Sequence, residues 1–118
     1  TDPEDLLVSG AIVGLTNVIV FALWFWDLDR GGAAARAHGG GRPAALVFPE
    51  MSHTEHVPPG WYPVFVDYLA FSFATATAFS PTDVSAVRPW AKALIVCESL
   101  LSLTLVGLVI ARAVNVLQ

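Results

Sequence analysis

Residues 68–92, YLAFSFATATAFSPTDVSAVRPWAK, constrain the fold more than any other part of the chain. The apolar stretch that leads into them, residues 64–77, is predicted as a helix, yet ~14 helical residues rise only roughly 21 Å, well short of the ~30 Å hydrocarbon core of a bilayer. The same stretch is too apolar for a solvated loop. It lies between two long hydrophobic runs, residues 6–28 and 90–116, each long enough to cross that core. A short apolar helix between two spans has to stop partway. Irregular backbone at membrane depth is tolerated only where protein or a water-filled cavity covers it.

Composition supports the bilayer as solvent. Of 118 residues, 55% are hydrophobic and 14% charged, where soluble domains carry about a quarter charged, so an integral membrane protein is expected with the lipid bilayer as one partner. The net charge of -4 comes from scattered residues, which points away from nucleic acid and from a polybasic lipid anchor. The single cysteine, Cys97, lies in an apolar run and allows no intrachain disulfide. An enzyme is disfavoured: no nucleophile and base are paired by spacing, and GGGRP follows no strand and opens no helix, so it is not a phosphate loop. No cofactor is expected. With two spans and one loop, a central site has to be assembled between copies, and the expected partner is the chain itself.

Along the chain, Thr1 or Asp2 is placed to cap the first span. Its far end carries Trp24, Trp26, Asp27, Asp29 and Arg30, the aromatic and charged belt of an interface. Asn17, near the middle, reads as a hydrogen bond between helices. Residues 30–62 form a loop in which GGAAARAHGGGRP reads as a flexible polar linker. Within it Glu50, His53, Glu55 and His56 are a candidate metal cluster, with His53 and His56 on one face if the turn is helical; two ordinary histidines on a solvated loop is the favoured reading. Trp61 and Tyr62 return the chain to the interface, and Pro63 suits a first helical turn. The second span contains Glu98, Ser99, Ser102, Thr104 and Gly107. Glu98 reads either as a brace on the short helix or as part of an ion path, and Ser102 and Gly107 read as small residues for close packing rather than a gate.

The order of span, loop, short helix, Thr-rich turn and span resembles the two-transmembrane bacterial potassium channels of the tetrameric pore-loop cation channel superfamily. The match runs without gaps over residues 68–92, through Ser72, Thr75-Ala76-Thr77, Asp83, Val87, Trp90 and Lys92, and Gly107 continues the register. This resemblance implies an all-α membrane protein: two transmembrane helices with a re-entrant pore helix and filter loop between them, assembled as a tetramer around a central pore. It divides the chain into a first transmembrane helix (6–28), a turret-like loop (30–62), a pore helix (64–77), a filter with a possible second pore helix (78–88) and a second transmembrane helix (90–116). It also implies a cell membrane, the inner membrane of a prokaryote.

The filter itself departs from that family. Where potassium channels carry Thr-Val-Gly-Tyr-Gly-Asp, this chain has Ala78-Phe79-Ser80-Pro81-Thr82-Asp83. Glycines let successive carbonyls point at the axis; Ser80 and β-branched Thr82 resist that backbone, and Pro81 fixes φ and removes a donor. Ser80-Pro81-Thr82-Asp83 has instead the form of a helix start, Ser80 capping, Pro81 first and Asp83 reaching back, with a short helix to about Arg88. That arrangement resembles voltage-gated sodium and calcium channels. Thr75, Thr77, Ala78, Phe79, Ser80, Pro81, Thr82 and Asp83 are then the expected ion pathway, with Glu98, Ser102 and Gly107 as pore support and potassium, sodium or calcium as the permeant cation. The alternative is a non-conducting scaffold or partner subunit in which Phe79 and Pro81 close the pore. Orientation is contested: the stretch from Asp27 to Lys92 holds Arg30, Arg36, Arg42, Arg88 and Lys92, and the two ends together hold only Arg112, which by the positive-inside rule places the loop in the cytoplasm, whereas the channel resemblance places it outside.

Overall fold

The computed structural model describes residues 3–39, 43–77 and 84–117, and it is mostly helical. Helix α1, Pro3–Leu28, begins with Glu4 and Asp5 in its first turn, where acids complement the positive helix end. A 3-10 turn over Asp29–Gly31 and a short helix α2, Ala33–Ala37, reverse the chain. The reversal uses three successive positive φ values, at Arg30 (57°), Gly31 (88°) and Gly32 (105°). Two of the three fall on glycine, which adopts them without a Cβ clash. Next come strand β1, Leu46–Val47, helix α3, Pro49–Ser52, and a 3-10 turn, Thr54–His56.

Helix α4 spans Phe65–Thr77, 13 residues or about 20 Å. Asp67 sets its start by accepting the Val64 amide at 2.8 Å while its own amide donates to the Val64 carbonyl, half of a capping box. Pro63 therefore precedes the cap instead of occupying the first turn. Strand β2, Ser85–Ala86, and helix α5, Pro89–Leu117, complete the chain.

Helices α1 and α5 are long and apolar enough to cross a membrane. A core helix of a water-soluble protein would be mostly covered, but only 17% of the apolar window of the first and 6% of that of the second are buried. Leu7, Ile12 and Val13 on α1 and Leu101, Leu103 and Leu108 on α5 are all more than half exposed, a surface suited to lipid. The two helices also pack together away from the loop. A Cβ on Gly10 would lie 3.0 Å from Val109 Cγ2, and one on Gly14 would lie 3.7 Å from Leu105.

The packed core sits at the other end, where the loop and the start of α4 meet the second half of α1. Phe21, Phe25, Leu46, Phe48, Tyr68, Phe71 and Ala91 form it, rimmed by Trp26, Trp61 and Trp90. Edge-to-face ring pairs, Trp26 on Phe65, Phe25 on Phe71 and Phe48 on Tyr68, seat α4 against α1 and the loop. From Phe65 beside Trp26 to Ser72 beside Val18, α4 runs antiparallel to α1 and reaches its middle.

Two expectations change. The stretch 33–39 is not a loose linker, since Arg36 is buried and bonded to the end of α1. The expected short helix to Arg88 is not what residues 84–88 form: Ser85 and Ala86 are extended and pair antiparallel with Val47 and Leu46, and the Val87 amide donates to Ala45 at 2.8 Å. The cause is non-local. Asp29 fixes the Ala45–Leu46 backbone, and that segment offers an edge which residues 85–87 satisfy more fully than a single helical turn would.

Candidate functional site

Two polar clusters tie α4 to its neighbours, one at the loop end and one at the middle of the spans. The first is built on Asp29, which is fully buried. Its Oδ1 accepts the Ala45 amide at 2.8 Å and the Leu46 amide at 3.3 Å, and its Oδ2 accepts the Tyr68 hydroxyl at 2.6 Å. One carboxylate thus joins the end of α1, strand β1 and helix α4. Arg30 approaches the same carboxylate at 3.8 Å and donates to the Leu46 carbonyl at 2.8 Å. Arg36 donates to the Asp29 carbonyl and, at 2.6 Å, to the Trp26 carbonyl, capping the end of α1 as a cation suits that helix end. Its guanidinium lies 4.9 Å from the centre of the Tyr68 ring. Burial first, and then the hydrogen bond and charge of Asp29, hold the Tyr68 phenol well above its ordinary pKa.

The second cluster is deeper. Ser72 on α4 lies with its Oγ 2.7 Å from the Val18 carbonyl of α1 and 2.6 Å from Glu98 Oε2 of α5. One turn along α5, Ser102 Oγ accepts from Asn17 Nδ2 at 3.0 Å. Ser72 and Glu98 are fully buried. Glu98 therefore touches the short helix, and Ser102 touches the first span through the residue expected to bond between helices.

Of the other expected site residues, Thr75, Thr77 and Gly107 are among the described residues. Thr75 and Thr77 turn their hydroxyls back to the Phe71 and Phe73 carbonyls of their own helix, each at 2.9 Å. Ala78, Phe79, Ser80, Pro81, Thr82 and Asp83, the expected filter, lie outside the described residues. Gly107 faces open space within the chain, with nothing inside 4 Å of where a Cβ would stand. His53 and His56 flank Glu55 at 3.9 and 3.6 Å on an exposed turn, and among the described residues no group of three or more His, Cys, Asp or Glu is placed to hold a metal.

Between α1, α4 and the loop lies an open groove of about 690 Å³, floored by Leu15, Ile19, Leu69 and Phe73, with Glu50 and Asp67 also in its lining. Comparison with family models, with curated proteins and with solved structures finds no match.

Sequence reasoning passed over the Asp29 cluster and the packing of Gly10 and Gly14. The second left a signal: Gly10-Ala-Ile-Val-Gly14 has the spacing of small residues that brings membrane helices together. The first left little, because Asp29 and Arg30 follow a span just as an interfacial belt would, and nothing local marks Asp29 as buried.

Proposed function

We propose that the chain is the pore-forming unit of a tetrameric, potassium-channel-like cation channel of weak or unusual selectivity, with α4 as a re-entrant pore helix and residues 75–83 lining the narrow part of the path. The observation that carries this reading is the placement of α4. It is too short to cross, it enters beside Trp26, and it is pinned at the level of Val18 to both long helices. A helix held there aims its C-terminal end, worth about half a negative charge, toward mid-membrane, and four such ends around an axis would favour a cation. The open groove beside α4 and the uncovered face of α5 leave the surface on which copies would meet. The departure of Ser80-Pro81-Thr82 from a glycine filter argues against strict potassium selectivity. Conduction is tested with purified protein in liposomes by flux of potassium, sodium and calcium. Flux of at least one cation above empty vesicles is expected; all three matching empty vesicles would sink the reading in favour of a non-conducting scaffold. Cross-linking in detergent should stop at four copies.

A further inference from the structure

We infer that Glu98 is a neutral carboxylic acid whose proton goes to Ser72, so that one hydrogen-bonded chain, Glu98 to Ser72 to the Val18 carbonyl, latches α5, α4 and α1 together. A serine hydroxyl has one proton to give, a main-chain carbonyl only accepts, and an ionised carboxylate only accepts. Ser72 Oγ stands 2.7 Å from Val18 O and 2.6 Å from Glu98 Oε2. Were Glu98 ionised, Ser72 could serve one of these acceptors, and the other short contact would hold two oxygens together with no proton between them. With the proton on Glu98 Oε2, the acid donates to Ser72, Ser72 donates to Val18, and both contacts are hydrogen bonds.

The second carboxyl oxygen agrees. Glu98 Oε1 is buried and meets no donor among the described residues, which suits the carbonyl oxygen of an acid and would strand a charge-bearing carboxylate oxygen. The elements packed around Glu98 bring it no cation. Helix α1 has no basic residue, and its acids Glu4, Asp5 and Asp27 lie near its ends. Helix α4 contributes Asp67 and Tyr68, both near its start, with the phenol committed to Asp29. On α5, Lys92 and Arg112 lie toward opposite ends and are exposed, and Cys97 is exposed. Asn17 and Ser102, one turn along α5, are uncharged and bonded to each other. Ionisation of Glu98 would place an unpaired charge between three helices and draw the Ser72 proton away from Val18, breaking the hydrogen bond from Ser72 to α1. The inference concerns the folded chain and stands whether or not the chain conducts.

Infrared spectra of the purified protein in lipid at neutral pH test it. The wild type should show a carboxylic-acid carbonyl band that is lost in Glu98→Gln, whose amide donates to Ser72 in the same place. The band should shift in Ser72→Ala, which removes its acceptor. Spectra of wild type and Glu98→Gln that coincide in the acid-carbonyl region would overturn the inference. If Glu98→Gln does not fold, Ser72→Ala decides alone: an acid band unmoved by loss of Ser72, or no acid band at all, overturns it.

Discussion

At the scale of single residues, Asp29 carries more of the structure than any residue on the deep face of the spans. Three donors converge on its buried carboxylate from strand β1 and helix α4, and their placement depends on it. Replacing it by alanine leaves two buried amides and a phenol without an acceptor, and the expected cost is about 3 kcal/mol or more, read as a lower thermal midpoint in detergent. Tyr68→Phe removes a single donor and should cost about 1–2 kcal/mol. The phenol also gives a pH dependence with a definite sign. Because burial and Asp29 raise its pKa in the fold, the folded chain keeps this proton after the unfolded chain, at about pH 10, has lost it. Its contribution is full below about pH 10 and declines above it. The difference in stability between wild type and Tyr68→Phe should therefore hold steady through neutral pH and shrink on the alkaline side. A difference that grew with pH would contradict the assignment.

At the scale of elements, what was legible followed from local composition, and what was not followed from partners far along the chain. Two long apolar runs with interfacial tryptophans read directly as α1 and α5, and the shortness of the stretch before Ala78 read as α4, because length and hydropathy are properties of the segment itself. Strand β2 could not be read this way. Ser85 and Ala86 have no strand pattern of their own and become extended because residue 29, far upstream, fixes the edge they pair with. Arg36 was read as linker for the same reason: Ala-Ala-Ala-Arg-Ala between glycines is flexible until the end of α1 offers it two carbonyls. Gly107 has the small-residue character that suits close packing, yet within the chain it is Gly10 and Gly14 that pack against α5. Adding a methyl at Gly10 meets Val109 at 3.0 Å, so Gly10→Ala requires a small shift, and Gly10→Ile should force the helices apart at about 1–3 kcal/mol. Gly107→Ala, with open space around it, should leave the stability of the single chain unchanged. Thermal midpoints of the three variants in one detergent check the order; an equal loss for Gly107→Ala and Gly10→Ile would show that α5 meets another surface at Gly107.

At the scale of the whole molecule, the open question with the largest consequence is which side of the membrane the loop faces. The positive-inside rule counts Arg30, Arg36, Arg42, Arg88 and, at the start of α5, Lys92 on the loop side against Arg112 near the far end of α5, and so draws the loop into the cytoplasm. In the fold two of those charges have other work. Arg36 is buried against the end of α1, and Arg30 lies against Asp29 and the Leu46 carbonyl. Arg36 closes off the end of α1 and Arg30 ties that end to strand β1, contacts needed on either side of a bilayer, so their presence in the loop has a structural cause independent of topology. The proposed channel frame needs α4 to enter from outside. Ala37 is exposed at the end of α2, while the native thiol, Cys97, lies on α5. A Cys97→Ser, Ala37→Cys chain treated in intact cells with a membrane-impermeant maleimide should be labelled. Labelling only after permeabilisation would put α4 on the cytoplasmic side, where four helix ends would be approached by ions from within the cell, and the proposed arrangement would have to be given up even if cation flux were measured.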